Sequence, residues 1–136
     1  MTKPLATAPD AERVVIDYLT AALGARGQDV SAGVNVPSAW TQGTKAHVQV
    51  GLDGTPSVQY PILASASVRV TCWHASTTTA KALVALCEGL LCSHPGSAQI
   101  GSVRSLTGVL PTKDPDTGAQ LASVSVRVNL LYAVLA

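Results

Sequence analysis

The stretch that decides the fold is Leu121-Ala-Ser-Val-Ser-Val-Arg-Val-Asn-Leu-Leu-Tyr-Ala-Val134. Ala122, Val124, Val126, Val128, Leu130, Tyr132 and Val134 fall on one side of an extended chain, opposite Ser123, Ser125, Arg127 and Asn129. Side chains alternate between the faces of a sheet with a period of two, so this is a strand with one greasy and one polar face. Its fourteen residues would span roughly 46 Å at ~3.3 Å each, against five or six residues for an average strand. Such a strand either bends around its own core or has its apolar end, after Asn129, covered by another subunit, and the second option is the expectation.

Upstream, Ile100 to Leu110 reads as the partner arm of a long hairpin, with Pro111 to Gly118 as its loop and Lys113-Asp-Pro-Asp-Thr-Gly118 as the tip. Before it, Ala80, Leu83, Val84, Cys87, Leu90 and Leu91 recur at helical spacing, Ser76 and the threonines after it offer N-caps, and Ser93-His-Pro-Gly96 ends the segment. Ser65 to Trp73 alternates again, with Val68, Val70 and Cys72 facing away from Arg69, Thr71 and Trp73.

Farther out, Asp53-Gly-Thr-Pro56 is a turn signal, and an exposed loop is expected from there to Pro61. Val34 with Val36, and Val48 with Val50, suggest two short strands flanking a Pro37 to Gly43 loop that carries Trp40. From Asp10 to Leu23, Val14, Val15, Tyr18, Leu19, Ala22 and Leu23 form an amphipathic helix, with Thr7 and Pro9 at its start and Gly24 at its end. Residues 1–9 are expected to be frayed. The order predicts a single α+β domain over residues 1–136, a mainly antiparallel sheet with two helices packed on one face, ending in a long β-hairpin.

Composition constrains the function. Aromatic residues make up 4% of the chain and Phe is absent, so branched aliphatics must build the core. Charged residues make up 12%, about half of the ~25% usual for a soluble domain. Stripping water from a neutral hydroxyl or amide costs far less than stripping it from an ion, and a weakly charged surface therefore suits a protein that packs against neighbours. The net charge of +1 supplies no general field for a polyanion. No apolar run approaches the ~18–20 residues of a membrane span, and no membrane role is expected. Cys72, Cys87 and Cys92 lack CxxC spacing and fit reduced thiols.

Chemistry-bearing patterns are sparse. His47, His74 and His94 are scattered and offer no pair of metal ligands on one element. Cys72-Trp-His74 brings a thiol and an imidazole close in sequence, but no nucleophile pair of the two is expected. Gly51-Leu-Asp-Gly54 lacks the Gly-Lys-Ser/Thr ending of a phosphate loop. Asp114 and Asp116 suit turn geometry better than paired-carboxylate catalysis. No catalytic residue, cofactor or metal is expected. Arg69 and Arg127 lie on polar strand faces and Arg104 can join them, giving a basic strip suited to a subunit contact or a channel wall. Trp40, an amphipathic ring in a loop, suits a contact, as do Lys113, Asp114 and Asp116 at the hairpin tip and Leu130 and Tyr132 near the end of the long strand.

Four segments together resemble the tail terminator proteins of long-tailed, siphovirus-type phages of actinobacterial hosts. They are Ala11-Glu-Arg-Val-Val-Ile-Asp-Tyr-Leu19, Val36-Pro-x-x-Trp40, Val68-Arg-Val-Thr-Cys-Trp73 running into Ala75-Ser-Thr-Thr-Thr-Ala-Lys-Ala-Leu83, and the closing hairpin. The resemblance implies a hexameric ring in the virion, assembled in the host cytoplasm, that caps the head-proximal end of the tail tube. Its implied partners are the major tail tube protein, the head-tail connector, and genomic DNA passing through the ring without sequence recognition. It supplies no motif residues, and the interface positions above come from this chain's own pattern. Another neck or tail-completion protein, or a small ligand-binding module, are the alternative readings.

Overall fold

The structure is a computed structural model and describes residues 3–38, 40, 41, 45–116 and 118–135, with side chains at all of these except 55–58. Parts of the predicted 37–43 loop (39, 42 and 43), Thr117 of the hairpin tip and the first two residues lie outside the described residues.

The described chain runs β1 (Ala6–Thr7), α1 (Ala11–Ala25), β2 (Ser31–Gly33), β3 (His47–Gln59), β4 (Leu63–His74), α2 (Thr77–Cys92), β5 (Ile100–Ser105), β6 (Leu110–Lys113), β7 (Gln120–Leu131) and β8 (Ala133–Val134). The main sheet has the order β2-β3-β4-β7-β5, with β6 also on β7, and every pairing except β2 with β3 is antiparallel. Both helices cover one face. Val48, Val50, Val68, Val70, Val124 and Val126 point into that layer at 0–1% exposure, beneath Val15, Leu19 and Leu23 of α1 and Val84, Cys87 and Leu91 of α2. Stiff branched side chains fit a pleated surface well, which explains a close-packed core without Phe. The protein is thus α+β with two helices on a mainly antiparallel sheet, ending in strands.

Local physics sets the helix ends. The Asp10 carboxylate, not Thr7, caps α1, accepting from the amides of Glu12 at 3.0 Å and Arg13 at 3.4 Å. The helix runs through Gly24 and stops before Gly27, whose φ of +76° is the left-handed value a terminating glycine adopts without a Cβ penalty. Ser76 caps α2, with Thr77, Thr78 and Thr79 already inside its first turn.

Several expectations are corrected. The Asp53-Gly-Thr-Pro56 segment is not a turn but part of β3, where the register slips between Leu52 and Gly54 and again before Ser57. Gly and Pro within a strand collect at bulges, and here they bulge it without reversing it. The reversal comes at Tyr60-Pro61-Ile62, closed by the Ile62 amide on the Gln59 carbonyl at 2.7 Å, so no long loop exists there. The first of the two short strands is Ser31–Gly33, upstream of Val34 and Val36.

The long hairpin is real but segmented. Its first arm divides into β5 and β6, with the amides of Leu106 and Thr107 both turned onto the Ser125 carbonyl between them. Lys113 is still in a strand, opposite Gln120, which shortens the tip. The second arm breaks at Tyr132, and Ala133–Val134 pair with Thr7–Ala6 in a separate two-stranded ribbon. Residues 6 and 7 are therefore not frayed; Ala6 is buried. Along β7 the apolar face from Ala122 to Leu130 is 0–3% exposed beneath the chain's own helices. Cover from adjacent copies is not needed over that length, and only the end beyond Tyr132 lies open.

Candidate functional site

Among the described residues two surfaces stand out after folding: the helix-free face of the sheet and a set of exposed apolar side chains at one end.

On the helix-free face the polar side chains form rows across the strands. In one row Asn129 of β7 bridges two strands, accepting from Ser65 of β4 at 3.0 Å and donating to Ser102 of β5 at 2.8 Å. Four residues away along the same strands, Arg69 pairs with Asp53 at 3.2 Å, and Ser125 donates to the same Asp53 carboxylate at 3.5 Å. Between these rows lies Ser67-Arg127-Arg104, in which Arg127 is the direct cross-strand partner of both others. Neither Arg104 nor Arg127 has a carboxylate within ion-pair distance among the described residues, and Arg127 Nε is shut off from water with no acceptor. The register thus brings together the three arginines singled out from the sequence, and it neutralises only Arg69.

The far end of this face is closed by the chain itself. Trp40 is 4% exposed, donates from Nε1 to the Lys45 carbonyl at 3.0 Å, and meets Trp73 edge to face at 5.7 Å. It anchors its own loop and presents no contact surface, correcting the expectation from sequence. Beneath that loop His47 is buried, with Nε2 donating to the Asn35 carbonyl at 2.9 Å and Nδ1 accepting from Ser31 Oγ at 2.7 Å. Burial lowers its pKa, partly offset by the bond to Asn35.

The apolar cluster is assembled from three distant segments. Leu5 at 67%, Ile62 at 70% and Val134 at 64% exposure are its most open members, beside Tyr60, Tyr132 and Leu135. Backbone and hydroxyl bonds hold them: Leu135 donates to the Leu5 carbonyl at 2.8 Å, and the Tyr60 hydroxyl donates to the Pro4 carbonyl at 2.7 Å while accepting from the Ala6 amide at 2.9 Å. Of the predicted contact residues, Tyr132 borders this cluster, half-buried against Tyr60. Leu130 does not contribute, being 3% exposed in the core. Lys113 and Asp116 are exposed at the hairpin tip and Asp114 is half-buried there. Sequence reading missed Leu5, Tyr60 and Ile62; the only local signal was two large apolar residues flanking a turn proline.

Little else offers chemistry. The apolar groove between Pro9, Ala11, Leu52, Ala64 and Leu130 encloses about 240 Å³, below the ~300–1,000 Å³ of typical ligand sites. Cys72 and Cys87 are buried and hydrogen-bonded to each other, and that bond together with burial raises the Cys72 pKa. His74 instead accepts from the Ser76 amide at 3.1 Å. Among the described residues no group of three or more His, Cys, Asp or Glu is placed to hold a metal ion. No described helix is long and apolar enough to cross a membrane. No protein family matches this sequence, and no curated protein does.

Proposed function

We propose that the chain is a structural virion protein whose copies form a ring, six-membered as the family resemblance implies, at the head-proximal end of a phage tail tube. In this reading the ring ends tube polymerisation and offers its other side to the head-tail connector, and the genome passes through its centre without sequence recognition. The role is assembly and not catalysis.

The observation that carries the proposal is the exposed apolar cluster of Leu5, Ile62, Val134 and Leu135. Scattered apolar side chains are ordinary on a surface, but several brought to one end of the fold by the β1–β8 pairing and the neighbouring β3–β4 turn suit a contact surface. The low charge of the chain agrees with this, since most of its surface can be desolvated cheaply.

The test is to add the purified protein to growing tail tubes and image them by electron microscopy. Six-fold caps on tube ends, with growth arrested, are the expected result. Tubes that lengthen unchanged beside uncapped ends would refute the terminator role.

A further inference from the structure

We infer that Arg104 and Arg127 receive the hairpin-tip carboxylate Asp116 from an adjacent copy of this chain. The inference rests on the ring reading above and names the contact that closes it.

The open sheet face carries three rows of polar side chains across β4, β7 and their neighbours. The Ser65-Asn129-Ser102 row and the Arg69-Asp53-Ser125 row are each joined by side-chain bonds within the chain. The row between them sets two arginines directly opposite each other. Like charges facing across a ladder repel, and a guanidinium nitrogen cut off from both water and acceptors is costly. Arg127 Nε is in that condition. A fork of fixed N–H donors is geometrically matched to a carboxylate, which would relieve the repulsion between the two guanidinium groups.

Where that carboxylate comes from is narrowed by the chain's own inventory. Asp10, Glu12, Asp17, Asp29, Asp53 and Glu88 are each engaged in a hydrogen bond or ion pair of the same chain. Asp114 is held in the tip by backbone bonds to Ala119 and Gly118 and has a further partner of its own. Asp116 is exposed and makes no such contact among the described residues. It cannot reach its own arginines, because Arg127 lies seven residues along β7 from Gln120, ~23 Å at ~3.3 Å per residue, and Asp116 lies beyond Gln120 in the tip. A carboxylate complement supplied by this chain must therefore come from another copy. A contact between two different patches of one chain is heterologous, the kind of contact that builds a ring when its rotation closes.

The experiment is charge reversal read by analytical ultracentrifugation. Asp116→Arg should raise the concentration needed for assembly by roughly tenfold or more, and so should Arg127→Asp. Combining the two in one chain should restore assembly. Arg104→Asp, on the exposed edge strand, gives the same test if Arg127→Asp fails to fold, as judged by circular dichroism. Rings that persist with Asp116→Arg would overturn this inference and leave the ring reading standing. So would an Arg104→Ser, Arg127→Ser chain that assembles normally and has lost only DNA retention, since the arginines would then serve phosphates. A wild-type chain that stays monomeric at every concentration, with or without tubes, would overturn both.

Discussion

Tyr60 and Tyr132 meet edge to face, their rings 5.1 Å apart at 76°. This contact joins the β3–β4 turn to the break in the long terminal strand, and the Tyr60 hydroxyl extends it to the N-terminal segment through Pro4 and Ala6. One side chain therefore fixes both strands of the β1–β8 ribbon on which the apolar cluster is displayed.

Tyr60→Phe keeps the ring contact and removes both hydroxyl bonds. At about 1 kcal/mol for each bond, amide exchange at Ala6 should accelerate roughly fivefold or more, while the main sheet stays protected. Hydrogen exchange followed by mass spectrometry checks this; unchanged exchange at residues 4–7 would mean that the ribbon is held by strand pairing alone.

His47 should make stability depend on pH. Its folded pKa lies below the ordinary 6.5 because burial disfavours the charged ring, so the unfolded chain takes up a proton more readily than the folded one. The contribution is fully present above pH 6.5 and is lost as pH falls through the lowered folded value. Urea midpoints at pH 7.5 and 5.5 should therefore differ, and His47→Gln should shrink the difference. Equal differences in both proteins would place the dependence elsewhere.

The three cysteines should separate by reactivity. Cys92 is exposed, yet its pKa is raised by partial burial and by the neighbouring Glu88, whereas Cys72 and Cys87 are buried. Since the thiolate is the reacting form, Ellman's reagent should modify one thiol per native chain, slowly for an exposed cysteine and faster at higher pH. All three should react in denaturant, and Cys92→Ser should leave none reactive in the native state. Two fast native thiols would contradict the packing of Cys72 against Cys87.

The sequence made the two helices, β4 and β7 legible because each buries one face for its whole length, and the period of apolar residues follows directly from that. The arginine row was legible for the same reason: alternation fixes which face Arg69, Arg104 and Arg127 share, and only the neighbour order had to be supplied. What escaped depends on contacts distant in sequence. Ala6 pairs with Val134, and no local pattern in a Pro- and Thr-containing tail announces a strand whose partner ends the chain. Trp40 looked free because Trp73, which covers it, lies on another element. At Asp53-Gly-Thr-Pro56 a strong local turn signal yielded to the pairing of β3 with β4, which continues to either side of it. The length of the terminal strand misled for a related reason, since it suggested a missing subunit where two helices of the same chain already cover it.

The central claim is that copies of this chain associate through the cluster around Ile62 and Val134. Sedimentation equilibrium of the wild-type chain, set against Ile62→Asp and Val134→Asp, tests it most directly. Both substitutions fall on side chains at least 64% exposed and should change monomer stability by within about 0.5 kcal/mol. The account predicts a ring-sized mass for the wild type and a folded monomer for both variants. Identical masses for all three proteins would contradict it.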